Sequence, residues 1–191
     1  MSDNQAKQDY EKLKEQVFPK GDKTETAITL RRVMNVSLSL KLITDIGTMV
    51  LFTVAPILPV TPLASLASAG LGAASLLTTA GRINAIGHAQ ADDTQDAKNY
   101  RAEFKKAAHG FLVKQGASTV LLAAAPFLLG MFAISSFGNA AQAQFFYFWT
   151  MASALAGGGL GLWARTSATK MNVYDAAINR AKQAQKAAPA P

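Results

Sequence analysis

Charged stretches and long apolar stretches alternate along the chain. Two segments, 46–81 and 115–164, contain no Asp, Glu, Lys or Arg. One helical crossing of a bilayer takes about 20 apolar residues, so each segment is long enough to cross twice. Each also holds a turn signal near its middle, APILPVTP in the first and ISSFGNAAQAQ in the second. The pattern predicts an all-α integral membrane protein with four transmembrane helices, arranged as two tandem hairpins. The helices are expected at about 36–58, 62–82, 112–134 and 145–165.

The polar blocks between them carry helical periodicity of their own. In the first block Tyr10, Leu13 and Val17 share a face, and Pro19-Lys20-Gly21 stops the helix. In the middle block Asp93 is placed to cap a helix and Asp96 suits its first turn. Tyr100, Phe104, Ala107 and Phe111 then form an apolar edge that runs into the third span. Met171, Tyr174, Ile178 and Ala181 continue the pattern past the fourth. These read as short amphipathic cytoplasmic helices. The expected division is 1–33 for an N-terminal helix and linker, 34–82 for the first hairpin and 83–110 for a linker helix. The second hairpin takes 111–166, and 167–191 is a terminal helix followed by a Pro-rich tail.

Charge sets the expected orientation. Lys and Arg gather in three blocks, Lys7 to Arg32, Arg82 to Lys106 and Arg165 to Lys186, while both hairpin turns have none. Because Lys and Arg accumulate on cytoplasmic loops, all three blocks should face the cytoplasm. The charged N-terminal block holds no apolar run, which argues against a cleavable signal peptide. A bacterial inner membrane, or a membrane derived from it, fits these short uncharged outer turns. Phe145, Phe146, Tyr147, Phe148 and Trp149 open the fourth span and Trp163 lies near its inner end, as aromatic interface anchors do. Trp149 and Trp163 are about 21 Å apart at 1.5 Å per residue.

The net charge of +7 would suggest nucleic acid on a soluble protein. In a membrane protein the cytoplasmic bias in Lys and Arg explains it, and no nucleic-acid partner is expected. The chain has no cysteine, which excludes disulfides and thiolate metal sites. Its two histidines, His88 and His109, are isolated in a polar stretch. The GGGLG run at 157–161 lies inside a span, with no strand before it and no Lys-Ser/Thr after it, so it is not a phosphate loop. No catalytic residue, cofactor or metal site is expected, and the chain does not read as an enzyme.

The two hairpins resemble each other. Aligning Pro56 with Pro126 pairs TMVLFTVAPIL (48–58) with STVLLAAAPFL (118–128), and Asp45 then meets Gln115. Both copies start on the same side, so the repeat would be parallel. Each proline lacks an amide donor and should kink its helix; Pro126 falls mid-span, where a kink is tolerated if neighbours satisfy the freed carbonyl. Pro56 is followed by Pro59 and Pro62, which favours an ending and a tight turn.

Small residues recur at helical spacing in the second and fourth spans. Ser65, Ala69 and Ala73 line one edge, and Ser153, Gly157 and Gly161 form a smooth stripe. Such faces let helix backbones approach closely in a membrane. They serve either packing between helices two and four or docking of a partner. Ionisable groups in spans call for an explanation. Lys41, Asp45, Lys114 and Gln115 are expected to form a polar cluster near the inner interface, with both lysines snorkelling. It would fix helix register, or line an ion path.

The leading functional expectation is a non-catalytic membrane subunit that packs against a larger complex, with the lipid bilayer and other membrane subunits, or its own copies, as partners. The alternatives are a membrane-shaping hairpin protein and a small oligomeric channel or transporter using Asp45 and Lys114.

Overall fold

The computed structural model describes residues 24–87 and 93–187. The N-terminal helix expected around Tyr10, Leu13 and Val17, His88 and the Pro-rich tail lie outside the described residues. Those described fold into four long helices: α1 (Thr24–Val54), α2 (Val60–Ile86), α3 (Gln95–Ser135) and α4 (Ala140–Ala187). They run up, down, up and down. α1 packs on α2, α2 on α3, α3 on α4 and α4 back on α1, with little across the diagonals. The two tight connections share one end, the turn end. The basic residues gather at the other, the charged end.

The distribution of side chains departs from that of a water-soluble bundle. Ser65, Ser68, Ser75, Thr79, Ser118 and Ser153 are buried inside, while Val36, Leu40, Ile43, Val50 and Val54 face outward along α1. A bundle in water would bury the second set. All four helices are long and apolar enough to cross a membrane. Helices suit such an environment because every backbone hydrogen bond closes within the segment.

Both turns are built from local chemistry. α1 ends at Val54, ahead of Pro56, and the Ala55 carbonyl accepts from Leu58 N at 3.2 Å and Thr61 Oγ1 at 2.8 Å. Pro62 falls in the first turn of α2, where a missing amide costs nothing. At the second turn the Ser135 carbonyl accepts from Gly138 N and Asn139 N, and the Asn139 side chain accepts from Gln142 N at 3.1 Å. An N-terminal cap of this kind starts α4.

Pro126 does not end its helix, since α3 continues to Ser135. Proline removes the donor that would have bonded the carbonyl four residues earlier, at Leu122. Ser65 Oγ of α2 donates to that carbonyl at 2.6 Å. A residue read from the sequence as a smooth packing surface thus also satisfies the backbone that proline frees. Ser65→Ala is expected to destabilise the protein by about 1 kcal/mol, as for other interhelical hydrogen bonds in membranes. Pro126→Ala should remove most of that sensitivity, because the amide restored at that position then bonds the Leu122 carbonyl. Denaturant unfolding of the two single variants and the double variant in detergent measures both.

The helices at the charged end are continuous with the spans. α3 begins at Gln95, well before the span expected from 112, and α4 runs to Ala187 without a break. Thr94, not Asp93, caps α3, accepting from Ala97 N at 3.3 Å. Asp93 instead pairs with Arg101, at 2.7 and 3.1 Å, and Arg101 also donates to the Ile86 carbonyl. This clamp joins the end of α2 to the start of α3. The apolar edges read from the sequence meet in one core of Met34, Leu38, Ile86, Phe104, Phe111, Met171 and Ile178. A smaller core of Phe52, Ala125 and Ala154 lies toward the turn end.

Candidate functional site: a charged pair inside the bundle

Between the two apolar cores all four helices contribute to one polar centre. Lys41 is 1 % and Asp45 2 % exposed. Their spacing of four places both on one face of α1, and Lys41 Nζ donates to Asp45 Oδ1 at 2.5 Å. Nζ also donates to Ser68 Oγ of α2 at 3.2 Å and Ser118 Oγ of α3 at 3.3 Å. Ser68 in turn donates to Asp45 Oδ1, and Ser118 donates to the Gly157 carbonyl of α4 at 2.7 Å. The three donors of the ammonium are thereby used, as burial of a charge demands.

The glycines of α4 make room for this arrangement. A Cβ on Gly161 would lie against Asp45 Oδ2, 2.8 Å from Lys41 Nζ and 3.0 Å from Ser118 Oγ. A Cβ on Gly157 would be 2.9 Å from Leu122 Cγ and 3.2 Å from its backbone nitrogen. Ser153, Gly157 and Gly161 therefore face the interior, against α1 and α3. The packing between helices two and four that the sequence suggested is not their role. On α2, Ser65 and Ala69 are also buried, whereas Ala73 faces outward.

Gln115 joins the centre and Lys114 does not. A methyl group on Gly72 would lie 2.8 Å from Gln115 Nε2 and 3.3 Å from Lys41 Cε, so these two side chains are close neighbours. Gln115 is fully buried, and neither end of its amide meets a hydrogen-bond partner among the described residues. Thr48 Oγ1, on the turn-end side of Asp45, is likewise without one. Lys114 points away, donating to Ser167 Oγ at 3.1 Å and lying 4.1 Å over the Trp163 ring. The four-residue cluster expected from the sequence is thus three residues plus Ser68 and Ser118.

Asp45 lies about 14 Å from the turn end of α1, whereas Ser118, in the same centre, lies about 26 Å from the turn end of α3, at 1.5 Å per residue. Lys41 does not snorkel; its ammonium is held inside. Phe145, Tyr147, Trp149 and Trp163 are exposed.

A second buried pair escaped the sequence reading. Arg82 of α2, fully buried, donates to Asp175 Oδ2 of α4 at 2.8 Å. Arg31 is 3.9 Å from the same oxygen, and Asn179 donates to Oδ1 at 3.3 Å. The guanidinium also lies 5.4 Å over the Phe104 ring. An isolated acid in an otherwise basic helix was the signal available for Asp175. Its partner lies far away in sequence.

Fold and site together define an all-helical chain of four potential membrane spans with its polar groups turned inward, the pattern of an integral membrane protein. No protein-family model matches the chain, no curated protein matches it and no solved structure matches it.

Proposed function

We propose that this chain is a non-catalytic integral membrane subunit that packs against other subunits of a larger complex. Its charged end and both termini face the cytoplasm, in a bacterial inner membrane or a derivative of one, following the positive-inside bias. The observation that carries the reading is the outward surface. Gly70 of α2, Gly116 of α3 and Gly159 of α4 each have open space where a side chain would stand. Exposed Ala67, Ala73, Ala117 and Ala156 lie beside them. A lipid-facing backbone left this bare suits the close approach of another helix. The Lys41–Asp45 centre then serves as an internal latch that holds the four spans in register. The likeness of 48–58 to 118–128 supports an origin by duplication, with Asp45 and Gln115 at matching positions.

Gentle extraction from native membranes followed by native mass analysis tests this. A fixed set of unlike subunits at constant stoichiometry is expected, and Gly70→Leu or Gly159→Leu should loosen it while leaving helicity unchanged. Recovery of a homo-oligomer alone overturns the reading.

A second reading, a small oligomeric channel or transporter, draws on one observation. The unpartnered Gln115 amide beside Lys41 and Asp45 offers hydrogen bonds to a solute at the bundle centre. Ion flux in proteoliposomes that Asp45→Asn abolishes, with assembly intact, would favour it over the latch.

A further inference from the structure

Among the described residues, Lys114 differs from the three buried cations of the bundle. Lys41, Arg82 and Arg101 each meet a carboxylate. Lys114 is half-buried at the α3–α4 seam, and among the described residues its contacts are neutral: Ser167 Oγ and the Trp163 ring. Burial this close to an apolar belt leaves a cation in need of a counter-charge.

The surroundings fit an anion arriving from the lipid side. Trp163 is 57 % exposed and presents an indole face at the seam. Gly110, one turn toward the charged end from Lys114, has no side chain, and a Cβ there would meet only Ser167 Oγ, at 3.5 Å. Further along the same two helices, Lys106 and Lys170 are exposed. The seam therefore carries a partly sheltered ammonium, an exposed indole, a hydroxyl, a notch and two outer cations. Basic sites between spans near the cytoplasmic interface recognise anionic headgroups.

We propose that the α3–α4 seam binds the headgroup phosphate of an anionic phospholipid, with Lys114 as its counter-charge and Trp163 packed along the glycerol region. The proposal rests on the membrane-spanning reading of the chain and is independent of the scaffold role. Ser167, itself buried, accepts from the Lys114 ammonium and holds it at the seam. The outer lysines add attraction without defining the site.

The test uses the full chain in micelles with equal amounts of phosphatidylglycerol and phosphatidylcholine, and native mass spectrometry counts the lipids retained. Phosphatidylglycerol should be retained about fivefold over phosphatidylcholine, as expected for one sheltered cation. Lys114→Gln should bring the ratio near one and Lys114→Arg should preserve it. Lys98→Gln, at an exposed position elsewhere, should leave it unchanged. Trp163→Leu provides a second variant should Lys114→Gln lose its helical circular dichroism, and it should also lower the ratio. Equal retention of the two lipids by the unaltered chain, or full preference in Lys114→Gln, overturns the proposal. Loss of the adduct on adding millimolar inorganic phosphate assigns the site to free phosphate and overturns the lipid assignment; persistence supports it. A chain that does not enter micelles as a helical protein refutes the membrane-spanning reading itself, whatever the lipid ratio.

Discussion

Asp45→Ala should destabilise the bundle by about 3–5 kcal/mol, the cost of leaving a buried charge without its partner. Lys41 cannot move to water, because it is enclosed by α1, α2, α3 and α4 at their common centre. Losing the carboxylate removes its main counter-charge and leaves only two hydroxyls. Ser68 Oγ loses its acceptor on Asp45 as well. Titration of helicity with a denaturing detergent reads the change. The double variant Lys41→Met with Asp45→Leu should recover most of the loss, since replacing both partners by apolar groups of similar volume is often close to neutral. A single variant within about 1 kcal/mol of the unaltered chain would show that the pair does not hold the spans together. A double variant as unstable as the single would mean that Ser68 and Ser118 carry the centre instead.

The second large effect is expected at Asp175. Asp175→Ala strands Arg82, which is fully buried and, among the described residues, touches Met34 Sδ and the Phe104 ring but no other acid. Arginine keeps its charge at every accessible pH, so the defect cannot be relieved by loss of a proton. A loss of about 3–5 kcal/mol is again the expectation, and it should persist across a pH series. Arg82→Met combined with Asp175→Leu should restore stability. Limited proteolysis gives a separate readout, because this pair ties the end of α2 to the extended part of α4. In Asp175→Ala, cleavage near Lys170 to Arg180 should accelerate while the spans stay protected. Equal protection of that stretch in the variant and the unaltered chain would mean that the core of Phe104, Phe111, Met171 and Ile178 holds it unaided.

Much of the architecture was legible from charge and apolar length. Two charge-free segments with central turn signals lead to four long helices, because a continuous apolar run of that length closes its backbone hydrogen bonds within itself only as a helix. The turn at Pro56 follows from chemistry confined to a few neighbouring residues, whereas the last helix starts at Ala140, ahead of the 145 expected, on a cap at Asn139. Helix continuity was less legible. The edges at Phe104 and Met171 were visible, but a change in polarity looks the same whether a helix ends at the interface or runs through it. Asp93 was read as a cap because its type and place suit one. Arg101, eight residues on, claims it, and Thr94 caps in its stead.

What the sequence determined by itself was therefore local or one-dimensional: four apolar helices, their turns and the i,i+4 pairing of Lys41 with Asp45. What the tertiary structure decided was which polar groups from separate helices meet. Ser68, Ser118 and Gly161 close around the Lys41–Asp45 pair, Ser65 completes the Leu122 carbonyl that Pro126 leaves free, and Arg82 finds Asp175. Periodicity says which residues share a face, but rotation and register between helices fix which faces touch. Those are set by how closely backbones approach, and at Gly157 and Gly161 the absence of a side chain permits that approach.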